Sequence, residues 1–450
     1  MESIFSPKIL DFAKKLDRPL YAVGGIVRNY LIDKSKSSDF DLASDISSDE
    51  LVFNAEKSGL KVLAVYNRTG TVNFTDGENK YEYTAFRKEK YVGGEHTPYE
   101  VHPTSDIAED ARRRDFKCNA VYFDLKNLKF VDPLLGIKDI ENKVLDTVVS
   151  PELVFKHDGL RLMRLARFSA ELNFTPTVQV VLSAKNCAEN INQISAERIF
   201  SELNRILVSD GKYSFSGSDA HYRGLKVLDN IRVLDRIVPE LTLGRGMVQR
   251  ADFHDHDVLE HSLKCVKYSD RSIRLASLLH DVGKPYCMIN EGKYHNHYIE
   301  GKKIAVDVLK RLRADNQTIE EVAFLTYAHM LDMDCKMRES KIRLFIAKNY
   351  SLIDKLLKLK QADYMACKDD FGECKTVAKW RDVLDKMQND GTPITLRELK
   401  INASDLKMLG YSGKQIGKEL EKLKNECVVE PYSNQREKLL KKAERDLNKI

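Results

Sequence analysis

The stretch Tyr21–Asp45, YAVGGIVRNYLIDKSKSSDFDLASD, restricts the architecture of this chain more than any other. It opens with a short apolar run, Leu20 to Val23, which reads as a buried strand. Gly24 and Gly25 interrupt that run, and the apolar periodicity of Ile26–Ile32 predicts a helix. A strand, a glycine pair and a helix N-terminus together form an anion site. Unsatisfied N–H groups and the positive end of the helix dipole face the anion, and glycine allows its close approach. After a polar turn, Lys34–Ser38, come Asp39, Phe40, Asp41 and Leu42. On a strand, alternate side chains share a face, so Asp39 and Asp41 project together while Phe40 and Leu42 face the core. Two adjacent carboxylates repel unless a cation joins them, and hard oxygens suit Mg²⁺. A phosphate cradle beside such a pair is the equipment of phosphoryl or nucleotidyl transfer.

Either half alone has an ordinary explanation, a turn for Gly-Gly and a solvated edge for Asp-x-Asp. Together, the pattern GGxVR followed by DxD resembles the nucleotidyltransferase superfamily, in its class II tRNA nucleotidyltransferase (CCA-adding) and bacterial poly(A) polymerase branch. One departure is visible, Asn29 where that family usually has Asp. The resemblance implies Asp39 and Asp41 as catalytic Mg²⁺ ligands, with Gly24, Gly25 and Arg28 in nucleotide binding.

At 450 residues, with 31% charged and 42% hydrophobic side chains, the composition is that of a globular chain of several domains. The net charge of +5 confines any nucleic-acid surface to local patches. Eight cysteines without a CxxC pair, no secretory apolar core at the N-terminus and no membrane-length apolar run lead to a cytoplasmic expectation with no membrane partner.

Residues 1–19 read as a short amphipathic helix, and a helix capped by Ser48 is expected over 48–59. Strands are expected at 61–66, 71–75 and 80–87, then a polar loop over 92–104. The segment EDARRRDFKCNA resembles the family's E-D-x-x-R-R-D-F-x-x-N-A. By that resemblance Asp110 is a candidate third catalytic carboxylate, and Arg113, Arg114 and Asp115 are nucleotide-binding, arginine being suited to bidentate phosphate contacts.

Beyond residue 143 the pattern is almost wholly helical. HDGLRLMRLARFSAEL, 157–172, carries Asp158, Arg161, Arg164 and Arg167 at every third position, which predicts one inclined polar stripe on a single helix. Asp accepts from an exocyclic amine and Arg donates to a ring nitrogen, a pair that admits C and A and rejects U and G. This helix resembles the family's protein-template motif, with His157 where Glu is usual. ISAERIFSELNRIL, 194–207, resembles its neck helix.

A second centre is expected from His261, the adjacent His280-Asp281, and Asp363, which resemble the H…HD…D ligands of HD phosphohydrolases. His297 and His329 are candidates for a second metal or for substrate. Gly410, Gly413 and Gly417 punctuate lysines in a segment that resembles the family's RNA-binding tail.

The expected architecture is α+β: a nucleotidyltransferase head with a mixed α/β sheet over 1–145, an all-α neck over 146–245, an HD-type body over 246–365 and a helical tail over 366–450. The implied reaction is template-independent addition of C and A, from CTP and ATP, to the 3′ end of tRNA, with Mg²⁺ in the head, a divalent metal in the HD site and no obligate protein partner. The alternatives are a poly(A) polymerase, a CC-only or A-only enzyme, or an HD phosphohydrolase with an RNA-binding head. The lack of an Arg/Lys-rich insertion after the DxD strand favours tRNA.

Overall fold

A computed structural model describes residues 1–34, 40–67, 69–91, 98–252 and 254–448. Asp39, the turn residues 35–38 and the loop residues 92–97 lie outside the described residues. The chain forms two compact units, Met1–Thr242 with Arg311–Ala314, and Leu243–Lys310 with Asp315–Ile450.

In the first unit, α1 (Pro7–Lys15) is followed by β1 (Tyr21–Val23), α2 (Gly25–Asp33), β2 (Phe40–Ser44) and α3 (Ser48–Lys57). Then come β3 (Lys61–Tyr66), β4 (Thr71–Thr75), β5 (Lys80–Ala85), β6 (Arg87–Lys90), β7 (Glu100–Pro103), α4 (Ile107–Arg112), β8 (Tyr122–Asp124), β9 (Lys129–Val131) and α5 (Gly136–Glu141). Seven strands make one mixed sheet in the order β3-β4-β5-β2-β1-β8-β9. Only β2 and β5 pair in parallel within it, and β1 sits centrally between β2 and β8. Phe5, Phe40, Phe74, Tyr81 and Phe123 fill its core.

Three local expectations change. The cap of α3 is Ser47, whose hydroxyl accepts from the Glu50 amide at 3.2 Å, one residue earlier than the sequence implies. The expected strand 80–87 ends at Ala85, the last residue of β5 paired with β2, where the Phe86 amide makes the closing bond of the ladder to the Ser44 carbonyl at 2.6 Å. Arg87–Lys90 then pairs with β7 in a separate ribbon, so residues 100–103 of the expected loop are extended and paired.

The remainder of this unit is almost entirely helical: α6 (Pro151–His157), α7 (Leu160–Leu172), α8 (Val178–Asn186), α9 (Ala196–Leu207), α10 (Ala220–Asn230), α11 (Leu234–Ile237) and α12 (Pro239–Thr242). A two-residue parallel pairing, β10 (Val144–Leu145) with β11 (Thr175–Pro176), is its one sheet element among the described residues. The single helix expected over 157–172 is broken. Asp158 is extended (φ −148°, ψ 108°) between α6 and α7, so it precedes the helix and does not lie on its stripe. Gly159, directly after the break, lies against backbone: a Cβ there would stand 2.2 Å from the Asn190 carbonyl oxygen.

The second unit comprises α13 (Val258–Lys267), α14 (Arg274–Leu279), α15 (Gly283–Glu291), most of α16 (His297–Arg311), α17 (Asn316–Ala328), α18 (Glu339–Lys348), α19 (Tyr350–Lys368) and α20 (Lys375–Asn389). The chain closes with α21 (Ala403–Met408), α22 (Lys414–Val429) and α23 (Arg436–Leu447), packed around Leu406, Tyr411, Leu423, Cys427 and Leu439. Among the described residues no helix is long and apolar enough to cross a membrane.

Candidate functional sites

The first site forms where β1 turns into α2. Gly24 takes φ +79° and ψ −139°, a conformation that glycine adopts without strain, and no side chain caps the helix behind it. A Cβ at Gly24 would lie 3.0 Å from Asp41 Oδ2, so the glycine makes room for that carboxylate. Register explains the meeting, because Val23 pairs with Asp41 across the β1–β2 ladder. Asp41 is half-buried and faces the uncapped end of α2, while Phe40 and Leu42 are buried on the other face.

On its other side Asp41 pairs in register with Glu82 of β5. Paired residues of adjacent strands share a face, and Glu82 is exposed between the buried Tyr81 and Tyr83. The alternation of KYEYTA places Glu82 on the polar face of its strand. Only the non-local β2–β5 pairing brings it beside Asp41.

Arg28 is buried, and its Nη2 would stand 3.8 Å from a Cβ on Gly25. Its Nε and Nη2 donate to Asn29 Oδ1 at 3.1 and 2.8 Å, and its Nη1 donates to Asn119 Oδ1 at 2.6 Å. The guanidinium also lies 5.1 Å over the Phe168 ring. Asn29, the residue that departs from the family pattern, thus retains an acceptor for Arg28.

Asp110, by contrast, is sealed. Arg113 Nε donates to its Oδ1 at 2.7 Å, Arg114 Nη2 to Oδ2 at 3.1 Å, and the Tyr122 hydroxyl to Oδ2 at 2.7 Å. Burial pushes this carboxyl up, but the two guanidiniums and the phenol outweigh burial and hold it at about 2. Asp115 is likewise buried. It accepts from Arg164 Nε at 2.7 Å, from the Phe116 amide at 2.8 Å and from Asn119 at 2.9 Å, and these partners overcome burial to hold it well below the usual carboxylate range.

The four residues of the expected polar stripe have different fates. Arg167 is interior, donating to Glu202 at 2.6 Å and Glu171 at 2.9 Å. Arg164 reaches Asp115. Arg161 is buried, donates to the Arg113 carbonyl at 2.6 Å and stays 3.9 Å from Asp158. Asp158 Oδ1 accepts the Leu160 amide at 2.9 Å, which starts α7. Tyr91 stacks on His157 (5.2 Å, 14°) and lies 5.6 Å beneath the Arg161 guanidinium, an aromatic neighbour that periodicity does not disclose.

The second site lies wholly within the second unit. His261 comes from the middle of α13, His280 and Asp281 from the turn after α14, His297 from the start of α16, His329 from the end of α17, and Asp363 from α19. His261 Nε2 stands 3.0 Å from Asp363 Oδ1 and 3.3 Å from Asp281 Oδ2. His280 Nε2 is 3.5 and 3.2 Å from the same two atoms. The other oxygen of Asp281, Oδ1, stands 3.2 Å from His297 Nε2 and 3.5 Å from His329 Nε2. Two sets therefore emerge, His261–His280–Asp363 and Asp281–His297–His329, each with ligand atoms within 4.8 Å of one another. Asp281 touches both sets.

Asp281 Oδ1 is buried with no hydrogen-bond partner among the described residues, which fits a group designed to ligate a cation. Nδ1 of His280, His297 and His329 each points to a carbonyl three residues earlier, at 2.8, 2.8 and 2.6 Å, which leaves Nε2 to face the centre. Burial lowers the His329 imidazole to about 4, whereas for His280 the Asp281 carboxylate overcomes burial and raises it. The donor set of imidazole and carboxylate suits divalent transition metals.

Three family descriptions match in succession: "Poly A polymerase head domain" over residues 20–146, "Probable RNA and SrmB- binding site of polymerase A" over 173–243, and "HD domain" over 258–366. The chain thus resembles, region by region, a poly(A) polymerase head, its RNA-binding segment and an HD domain. It is 28% identical to the A-adding tRNA nucleotidyltransferase of Deinococcus radiodurans over 363 residues, 77% of this chain and 76% of that one. It is 33% identical to the CCA-adding enzyme of Staphylococcus epidermidis over 196 residues, 43% of this chain and 48% of that one. The fold matches a crystal structure of the Bacillus stearothermophilus CCA-adding enzyme in complex with CTP, with TM-score 0.67, 19% identity and 99% of both chains covered. It also matches the Thermotoga maritima CCA-adding enzyme complexed with tRNA, with TM-score 0.63, 17% identity, and 98% and 96% covered. The mixed-sheet head and helical remainder are thus those of CCA-adding enzymes.

Proposed function

We propose that this chain is a tRNA nucleotidyltransferase of the cytoplasm that adds C and A, from CTP and ATP, to the 3′ end of tRNA without a nucleic-acid template. The observation that carries this reading is the close approach of Asp41 to Gly24, which sets a carboxylate against an uncapped helix N-terminus. In this reading the first-turn N–H groups of α2 receive the triphosphate. Asp41, with Asp39 as its partner, holds the divalent ion. Glu82 supplies the third carboxylate, because Asp110 is committed to Arg113, Arg114 and Tyr122. Magnesium, when bound there, supplies Lewis acidity at the attacking 3′-oxygen and the α-phosphate.

The residues of the chain do the rest. Asp110 fixes Arg113 and Arg114 for phosphate contact, and Asp158 with Arg161 selects the base. Arg167, enclosed by Glu171 and Glu202, holds α7 in place instead of meeting nucleotide. The helical tail serves as the tRNA-binding region.

The test uses tRNA lacking its 3′ end, with CTP and ATP offered singly and together, and reads product length. Successive addition of C, C and A is expected. Products extended by A alone would assign A-addition, the activity named for the Deinococcus relative, and long A tracts would assign poly(A) synthesis.

A second activity belongs to the HD centre, and Asp281, poised between two imidazole-containing sets, supports it. We read it as a divalent-metal phosphohydrolase for phosphate or cyclic phosphate at damaged tRNA ends. A metal bound there would activate water for attack on phosphorus.

A further inference from the structure

A third set of ligating side chains adjoins the HD centre. His254, ahead of α13, and Cys367, one turn beyond Asp363 on α19, each bring a ligand atom within 4.8 Å of one of His261 and of each other. The His254 ring stands edge-on to the His261 ring, with centroids 4.8 Å apart. His261 is fully buried, while His254 and Cys367 are partly exposed, so this set lies outward of the inner two.

Two observations separate it from ordinary packing. His261 differs from the other three imidazoles of the centre: its Nδ1 is buried and has no hydrogen-bond partner among the described residues, where theirs each meet a carbonyl. His254 Nδ1 is in the same condition. Buried polar atoms are rarely left unsatisfied without a ligand to meet. The second observation is the thiol. The inner sets consist of imidazole and carboxylate alone, whereas sulfur is a soft donor that favours zinc-like ions over magnesium or manganese.

We propose that Cys367, His254 and His261 form an outer position for a thiophilic divalent ion such as Zn²⁺ or Co²⁺, with His261 shared with the inner set. This rests on the reading of the HD centre as a metal site. Two imidazoles and a thiolate leave one tetrahedral position open, as in zinc sites that bind an exchangeable ligand. Zn–S of about 2.3 Å and Zn–N of about 2.0 Å put ligand atoms roughly 3.5 Å apart, so side-chain adjustment of about 1 Å closes the set. With His261 Nε2 on the inner ion and Nδ1 on the outer one, binding at the outer position transfers the Cys367 thiol proton and the His261 N–H proton to solvent, leaving a bridging imidazolate.

The test is titration of the metal-stripped full chain with Co²⁺, followed by absorption. Ligand-field bands in the visible report cobalt on imidazole and carboxylate. A near-ultraviolet thiolate-to-cobalt charge-transfer band reports sulfur. The expected result is both signals in the native chain. Cys367→Ser should lose the charge-transfer band, keep the ligand-field bands and bind one ion fewer per chain. His254→Ala should weaken the band, and Cys265→Ser, which alters a buried cysteine outside this set, should leave it unchanged. A native chain with ligand-field bands but no charge-transfer band overturns the outer position and leaves the HD metal reading standing, as does a band that survives Cys367→Ser. Absence of both signals overturns the two readings together.

Discussion

Asp41 stands half-exposed against Gly24, whereas Asp110 is enclosed by two guanidiniums and a phenol, and these surroundings give the two carboxylates different work. Asp41→Ala and Glu82→Ala should each lower nucleotide incorporation by about a thousandfold, equivalent to about 4 kcal/mol of transition-state stabilisation, with tRNA affinity little changed. Asp110→Asn should act on stability. The folded-state pKa of Asp110 is depressed to about 2, so its stabilisation is present above the unfolded value and lost as pH falls through about 4 towards 2. The shift corresponds to about 2 kcal/mol at neutral pH. The stability gap between native and Asp110→Asn, read by denaturant titration, should therefore narrow over that acid range. A gap that stays constant down to pH 2, or normal turnover by Glu82→Ala, would reverse the assignment of roles. The sequence shows why the two are easily confused: Asp110 sits in a conspicuous charged run, while Glu82 becomes a neighbour of Asp41 only through a register fixed by strands some forty residues apart.

At the scale of elements, local pattern and non-local contact divide what could be foreseen. Strand β1, the glycine pair and helix α2 follow from short-range apolar periodicity, and the all-helical remainder follows from the loss of strand signal past residue 143. The break at Asp158 does not, since the local apolar pattern runs on through it and discloses neither the extended residue nor the close approach of Gly159 to the distant Asn190 carbonyl. The β6–β7 ribbon is hidden for a similar reason, since RKEK and EVHP lack the alternation of a half-buried strand. One comparable contact controls the HD centre. A Cβ on Gly283 would stand 2.1 Å from the His297 carbonyl oxygen and 2.5 Å from the Gly301 amide, so α15 and α16 meet backbone to backbone beside two candidate ligands. Gly283→Ala should cost about 1–3 kcal/mol through overpacking and push His297 away from Asp281. Calorimetric titration with Mn²⁺ should then show weakened binding at the Asp281–His297–His329 set and retained binding at the other. Native stability and native affinity in this variant would mean that the helices have room to spare.

For the whole molecule, the decisive fact is that the two centres belong to different compact units. Asp41, Glu82, Asp158 and Arg161 draw on the mixed sheet and the helices that follow it, whereas His261, His280, Asp281 and Asp363 draw on α13, α14 and α19 with the turn between. The chemistry should accordingly be separable by substitution. His280→Ala combined with Asp281→Ala removes one ligand of the first set and the carboxylate common to both. It should abolish hydrolysis of phosphate and cyclic phosphate in the presence of Mn²⁺, Ni²⁺ or Co²⁺ while product lengths on tRNA lacking its 3′ end remain native. Far-UV circular dichroism would establish that the second unit stays folded. If nucleotide addition falls in parallel with hydrolysis while the helical signal is intact, the centres are coupled and the independence inferred from their separate scaffolds is wrong. If the unsubstituted chain hydrolyses neither substrate with any of these ions, the HD ligands persist without the activity their geometry supports.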